Sequence, residues 1–292
     1  MFQGIGTAIV TPFNENMEVD YGDLRNLTQL QVNAGTDAII VLGTTGESPT
    51  ITTQERKQIV KTVVDEVKGK IPVIVGTGTN SAVDVIANNK MAEASGADGL
   101  LIVTPYYNKS TQEGLYRSFK FYADNTKLPI ILYNVPGRTG VNFAISTILK
   151  LARECDNIVG IKEAGGDISY AAEMIARKPK KLKVYSGNDD QTLPIMALGG
   201  DGVISVAGNI IPDKMVELSH AILDGDYERA QKINIRFNKL MNDLFLEVNP
   251  IPVKYAGALL KLWDNSLRLP LVTMSEKKAE ILTQTMKDLE LI

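Results

Sequence analysis

A closed (β/α)8 barrel with an all-helical C-terminal appendage is the fold class this sequence predicts, and three observations predict it. Short β-branched runs alternate with amphipathic helical stretches, the alternation occurs eight times, and it stops after Gly225. The strand candidates are residues 6–10, 38–43, 72–76, 99–104, 129–134, 157–162, 182–186 and 202–206. They are nearly continuous apolar runs, as strands buried on both faces must be. Eight regularly spaced units favour closure over an open doubly wound sheet. The chain's 292 residues suit one such barrel with an addition.

The helices predicted between and after the strands are 23–33, 54–67, 83–94, 113–125, 144–153, 170–177, 191–198 and 213–223. Thr52 with Glu55 and Ser110 with Glu113 have the spacing of capping boxes, and Ser81 with Asp84 approximates one. Gly35, Gly69 and Gly96 stand where a left-handed residue ends a helix. Beyond the barrel, residues 227–248, 252–263 and 276–289 read as helices only. The expected division is therefore a barrel over 1–224 and a helical region over 225–292, the latter too small to expect as an independent domain.

Composition narrows the function. The net charge is −3 with no basic block, which argues against nucleic acid and anionic membrane surfaces. The longest apolar runs, such as 38–42 and 99–103, are far shorter than a membrane span. No basic segment opens the chain, so no export signal is expected. A single cysteine, Cys155, cannot form an intrachain disulfide and suits a reducing cytoplasm. The single histidine, His220, lies in a helical pattern and is expected to be a surface or packing residue. A Ser-His-Asp triad or a His-rich zinc site therefore cannot be built, and no metal site is expected. Acid–base chemistry must fall to Tyr, Lys, Asp, Glu or a substrate group.

Barrel active sites lie at the C-terminal ends of the strands. Those positions hold Thr44-Thr45-Gly46-Glu47, Thr104-Pro105-Tyr106-Tyr107, Tyr133 followed by Arg138, then Lys162, and Ser186-Gly187-Asn188-Asp189. Each has a structural alternative. Gly43 to Gly46 is a tight turn or an anion cradle of hydroxyls and backbone N–H groups, and it lacks a P-loop lysine. Tyr106 and Tyr107 suit packing or an interface as well as catalysis. Arg138 is a surface ion pair or a fork for a substrate carboxylate. Lys162 ends an apolar strand, where snorkelling to water is the simpler reading of its own segment. Desolvation would instead depress its pKa and leave a nucleophilic amine. Convergence of all these groups on one barrel mouth favours function.

The segments Gly43-Thr-Thr-Gly-Glu47, Thr104-Pro-Tyr-Tyr107, Tyr133-Asn-Val-Pro-Gly-Arg-Thr-Gly140 and Gly160-Ile-Lys-Glu-Ala164, in this order and spacing, closely resemble the dihydrodipicolinate synthase family. The resemblance covers essentially the whole chain. It implies that Lys162 forms a Schiff base with pyruvate, and that the resulting enamine attacks L-aspartate 4-semialdehyde without an external cofactor. It implies a proton relay of Thr44, Tyr133 and Tyr107, with Tyr107 reaching into a neighbouring subunit. Thr45 would hold the pyruvate carboxylate, Arg138 the semialdehyde carboxylate, and Gly187 and Ile204 would offer backbone groups. N-acetylneuraminate lyases and 2-keto-3-deoxy sugar acid aldolases share the lysine; Arg138 and the Tyr106-Tyr107 pair favour the synthases. A catalytically silent barrel is disfavoured because Lys162, Tyr133, Thr44 and Arg138 are all present.

The resemblance further implies a homo-oligomer, commonly a tetramer built as a dimer of dimers. Ser48, Asn80 and Tyr106 match positions of the family's allosteric lysine site, and Asp84 stands where a glutamate is usual. Thr53 and Arg56 replace histidines of lysine-sensitive members. A shorter carboxylate and an added positive charge lead us to expect weak or absent inhibition by lysine.

Overall fold

A computed structural model describes all residues, Met1–Ile292. Eight parallel strands close into a barrel in sequence order: β1 (Gly4–Ala8), β2 (Ala38–Val41), β3 (Val73–Gly76), β4 (Gly99–Val103), β5 (Ile130–Asn134), β6 (Ile158–Glu163), β7 (Lys183–Ser186) and β8 (Gly202–Ser205). The helices are α1 (Tyr21–Ala34), α2 (Thr53–Val67), α3 (Ala82–Ala94), α4 (Gln112–Asp124), the single turn α5 (Pro136–Thr139), α6 (Ile145–Glu154), α7 (Ile168–Arg177), α8 (Thr192–Ala197) and α9 (Pro212–Leu223). Three more follow the barrel: α10 (Tyr227–Asp243), α11 (Ile251–Leu259) and α12 (Glu276–Asp288). No helix is long and apolar enough to cross a membrane.

Two apolar layers hold the fold. The larger lies between strands and helices; the smaller fills the barrel and includes Ile40, Ile74, Leu101, Ile131, Tyr133, Tyr185 and Ile204. Alternate residues of each strand supply the two layers, which is why the strands lack a polar face. Phe2 stacks on Tyr185 at a centroid distance of 4.5 Å and accepts the Tyr185 hydroxyl proton at its carbonyl, 2.7 Å away.

Several details differ from the sequence expectation, among them the helix read over 252–263, which stops at Leu259. The first strand is Gly4–Ala8 rather than 6–10, because Ile9 and Val10 stay buried after the chain leaves the sheet. The Ser110–Glu113 capping box does not form; Thr111 caps α4 by accepting from the Gly114 amide, and Glu113 pairs with Arg117. The helix read over 227–248 stops at Asp243, and residues 244–250 bend across the barrel mouth. The Thr52–Glu55 box is present with both of its hydrogen bonds, and Gly35 ends α1 at φ 81°.

The C-terminal helices are pinned to the loop after β2 by a buried ion pair. Glu47 adopts a left-handed φ of 53° and aims its carboxylate at Lys254 on α11, a side chain with no exposed surface. Lys254 Nζ also donates to the Ser266 carbonyl and lies 4.0 Å from the Phe13 ring centroid. The Arg268 amide donates to the other Glu47 oxygen. Burial pushes the Lys254 ammonium down to about 8, opposed by Glu47. Removing one member of such a pair strands a charge in the interior. Lys254→Met should therefore lower stability by about 3–5 kcal/mol in urea denaturation, and adding Glu47→Leu should restore most of the loss.

Candidate active site

The mouth of the barrel is lined by residues at the ends of seven strands and from the C-terminal segment. A cavity of about 180 Å³ has Ala8, Thr44, Thr45, Tyr133, Arg138 and Lys162 in its wall, together with Gly187, Val206, Phe245 and Asn249. It adjoins a second crevice of about 220 Å³ that shares Thr44, Tyr133 and Arg138.

Lys162 points into the barrel at strand period from Gly160 on β6, whereas Ile158, which the spacing alone would put on the same face, lies across a bulge and packs in the outer layer. In the sheet register it faces Tyr133 of β5 on one side and Tyr185 of β7 on the other. Only 5% of its surface is exposed, and Nζ lies 4.8 Å from the Tyr133 ring centroid. Snorkelling to bulk water is therefore not what this lysine does. The stem fits because Gly187 follows β7: a Cβ there would meet Lys162 Cε at 3.0 Å and Ala164 Cβ at 2.5 Å. Glycine at this point is demanded by close approach, whatever its backbone angles.

Electrostatics follow from the burial. Desolvation lowers the Lys162 ammonium to about 8, the Asp189 carboxylate opposes that shift, and the Arg138 guanidinium adds to it. Burial raises the Tyr133 phenol, while Arg138 and the Thr44 hydroxyl pull it back. Asp189 is itself buried and accepts from Ser205 Oγ and from the Val206 and Ala207 amides, both at 2.9 Å. The carboxylate thus ties the turn after β7 to the end of β8 and keeps a negative charge near the amine. Glu163, next to Lys162 but on the outer face of β6, accepts from Asn134 Nδ2 at 2.8 Å and from the Gly165 amide at 2.6 Å. It is a loop anchor.

Arg138 sits on α5, a single helical turn opened by Pro136. Its Nη2 donates to the Asn249 carbonyl at 3.0 Å, and it has no carboxylate partner. The guanidinium is thus held over the cavity with hydrogen-bonding capacity to spare. Thr45 is buried and its hydroxyl accepts from Asn249 Nδ2 at 3.0 Å. Thr44 lines both cavities.

Thr44, Thr45, Tyr133, Arg138, Lys162 and Gly187 are thus brought together. Tyr107 is not: its side chain is 92% exposed, on a left-handed residue at φ 70°, and lines neither cavity of its own chain. Ile204 lies within the barrel layer, and Val206 rather than Ile204 lines the cavity. Of the expected effector residues, Ser48 and Tyr106 line the adjoining crevice, whereas Asn80 and Asp84 do not. Arg56 enters that crevice and donates to the Ser48 carbonyl. No acidic side chain lines it. His220 lies at the opposite end of the barrel, 2.9 Å from Asp37 Oδ2.

Sequence reading missed Asn249 and gave Asp189 no role. Asn249 carried one signal, the Asn-Pro step that interrupts the helical pattern after residue 248. Asp189 carried none beyond its place at a strand end.

A lysine with a depressed pKa thus sits inside the barrel mouth with a buried phenol and a guanidinium that has no carboxylate partner. The model of the dihydrodipicolinate synthetase family fits residues 1–289. The chain belongs to this family. It is 49% identical over 292 residues to the 4-hydroxy-tetrahydrodipicolinate synthase of Acetivibrio thermocellus, covering 100% of this chain and 99% of that protein. The crystal structure of dihydrodipicolinate synthase from Thermotoga maritima superposes with a TM-score of 0.98 at 47% identity, covering 100% of both chains. The chloride-inhibited synthase of Acinetobacter baumannii, solved with pyruvate, matches at TM-score 0.98 and 43% identity over 100% of both.

The shift on Lys162 has a kinetic consequence. At pH 7.5 roughly a quarter of an amine titrating near 8 is neutral, against about a thousandth for an ordinary lysine. Reductive trapping of Lys162 by a small ketone with borohydride should accelerate as pH rises and level off above about 8. A rate still climbing beyond pH 10 would show an unshifted amine.

Proposed function

We propose that this chain condenses pyruvate with L-aspartate 4-semialdehyde, as a 4-hydroxy-tetrahydrodipicolinate synthase, with Lys162 as the Schiff-base nucleophile. The burial of Lys162 beside Tyr133 carries the reading, because it supplies a neutral amine and a phenol in one cavity. Nζ attacks the ketone carbon of pyruvate, water leaves, and the imine draws electrons from the methyl carbon. Loss of a methyl proton gives an enamine, which forms a carbon–carbon bond to the aldehyde. The substrate's amine then attacks the imine carbon, closing the ring and releasing Lys162 as a free amine.

Thr44 and Tyr133 move protons between the reacting atoms and solvent, and Tyr107 completes the relay from a neighbouring subunit. The exposure of Tyr107 in its own chain supports that assignment. Assembly is accordingly a homo-oligomer, which we take to be a dimer of dimers. Thr45 holds the pyruvate carboxylate and Arg138 that of the semialdehyde, while Gly187 contributes backbone surface near the imine. The acidic balance, the lone Cys155 and a biosynthetic substrate set fit the cytoplasm.

Treatment with pyruvate and borohydride should add one reduced adduct, mapped to Lys162 by mass spectrometry. An unmodified Lys162 would overturn the reading. Lys162→Ala should abolish the adduct, and Arg138→Ala should lower turnover with the semialdehyde about 100-fold or more while the pyruvate adduct still forms. Equal loss of both would refute the role of Arg138. Lysine should leave the rate nearly unchanged at millimolar concentration, because Arg56 makes the adjoining crevice cationic. Half-inhibition below a millimolar in a steady-state assay would contradict this.

A further inference from the structure

We propose that Asn249 is a positioning residue that sets the direction of the Thr45 hydroxyl, so that its proton is free for the carboxylate of pyruvate. The inference rests on the proposed function, which puts that carboxylate at Thr45. Three observations carry it. Asn249 is buried at the mouth of the cavity. Its Nδ2 donates to Thr45 Oγ1 at 3.0 Å. Its Oδ1 is buried with no hydrogen-bond partner.

The third observation gives the first two their meaning. Asparagine carries a donor and an acceptor on one carboxamide, and either can meet a hydroxyl. Here the donor meets Thr45 while the acceptor goes unsatisfied, an arrangement that costs stability. With one lone pair of Thr45 Oγ1 engaged by Nδ2, the hydroxyl proton remains available to another acceptor. The opposite orientation would consume that proton on Oδ1 and turn oxygen lone pairs toward an incoming carboxylate. A hydrogen bond to a charged group would become a repulsion. The main chain of the same residue does separate work, since the Asn249 carbonyl accepts from Arg138 Nη2. Side chain and backbone thus serve two subsites, and only the side chain is open to substitution.

The test exploits that separation. Asn249→Asp keeps the size of the side chain but offers only acceptors, whereas Asn249→Ala removes donor and acceptor together. Both variants keep the carbonyl that holds Arg138. In steady-state assays with each substrate varied in turn, Asn249→Asp should raise KM for pyruvate at least tenfold. Asn249→Ala should raise it by less, and KM for the semialdehyde should stay within about twofold in both. Borohydride trapping on Lys162 at low pyruvate should fall in the same order.

A wild-type KM for pyruvate in Asn249→Asp would overturn the inference, since it would mean that Thr45 tolerates an acceptor. A parallel rise in both KM values would also overturn it, pointing to a general loosening of the mouth. Failure of the wild-type protein to trap pyruvate at all would remove the functional reading and this inference with it. That result differs from a normal wild type with an unaffected aspartate variant, which removes this inference alone.

Discussion

The rest of the active site depends on one constraint, a lysine amine held inside a closed barrel with almost no access to water. An ammonium there is poorly solvated, and the protein accommodates it by letting the amine titrate near 8. Space for the stem comes from Gly187, where any side chain would collide with it. Asp189 moderates the shift through a carboxylate whose three hydrogen bonds fix it between the ends of β7 and β8. Arg138 pushes the other way. The same guanidinium favours the ionised form of Tyr133 and the neutral form of Lys162, which is the pairing that base and nucleophile need.

The barrel alone does not finish the site. Phe245 and Asn249 wall the cavity from the turn between α10 and α11, and Asn249 bonds to both Thr45 and Arg138. The helical region that carries them is fastened by the buried pair of Glu47 and Lys254, and Glu47 lies only two residues along the chain from Thr45. Loop and C-terminal segment therefore hold each other in place. A positively charged fork and a hydroxyl are presented at fixed separation by two anchors on one residue, a form of preorganisation that catalysis favours.

Most of the barrel was legible because closure leaves no exposed strand face. Runs such as Ile39-Ile40-Val41 and Leu100-Leu101-Ile102 are apolar throughout and cannot be mistaken for amphipathic strands. The same uniformity hides where strands begin, which is why β1 is displaced by two residues. Residues at strand ends could be collected as a site because the fold dictates which end is chemical. Lys162 was legible only through that collection, since a terminal lysine on an apolar strand looks like one that reaches for water. Asn249 was illegible, as it lies far from the other groups in sequence and beyond the repeating pattern. Tyr107 differs again: it is exposed at the rim and lines neither cavity of its own chain.

Burial, rather than the sequence around it, is what lowers the pKa of Lys162. Its pKa can be read directly from an NMR titration of the protein with 13C-labelled lysine side chains, with the Lys162 signal assigned by its loss in Lys162→Met. That assignment separates it from Lys254, the other buried amine. A transition centred near pH 8 is the predicted result. A midpoint above 10 would contradict the account.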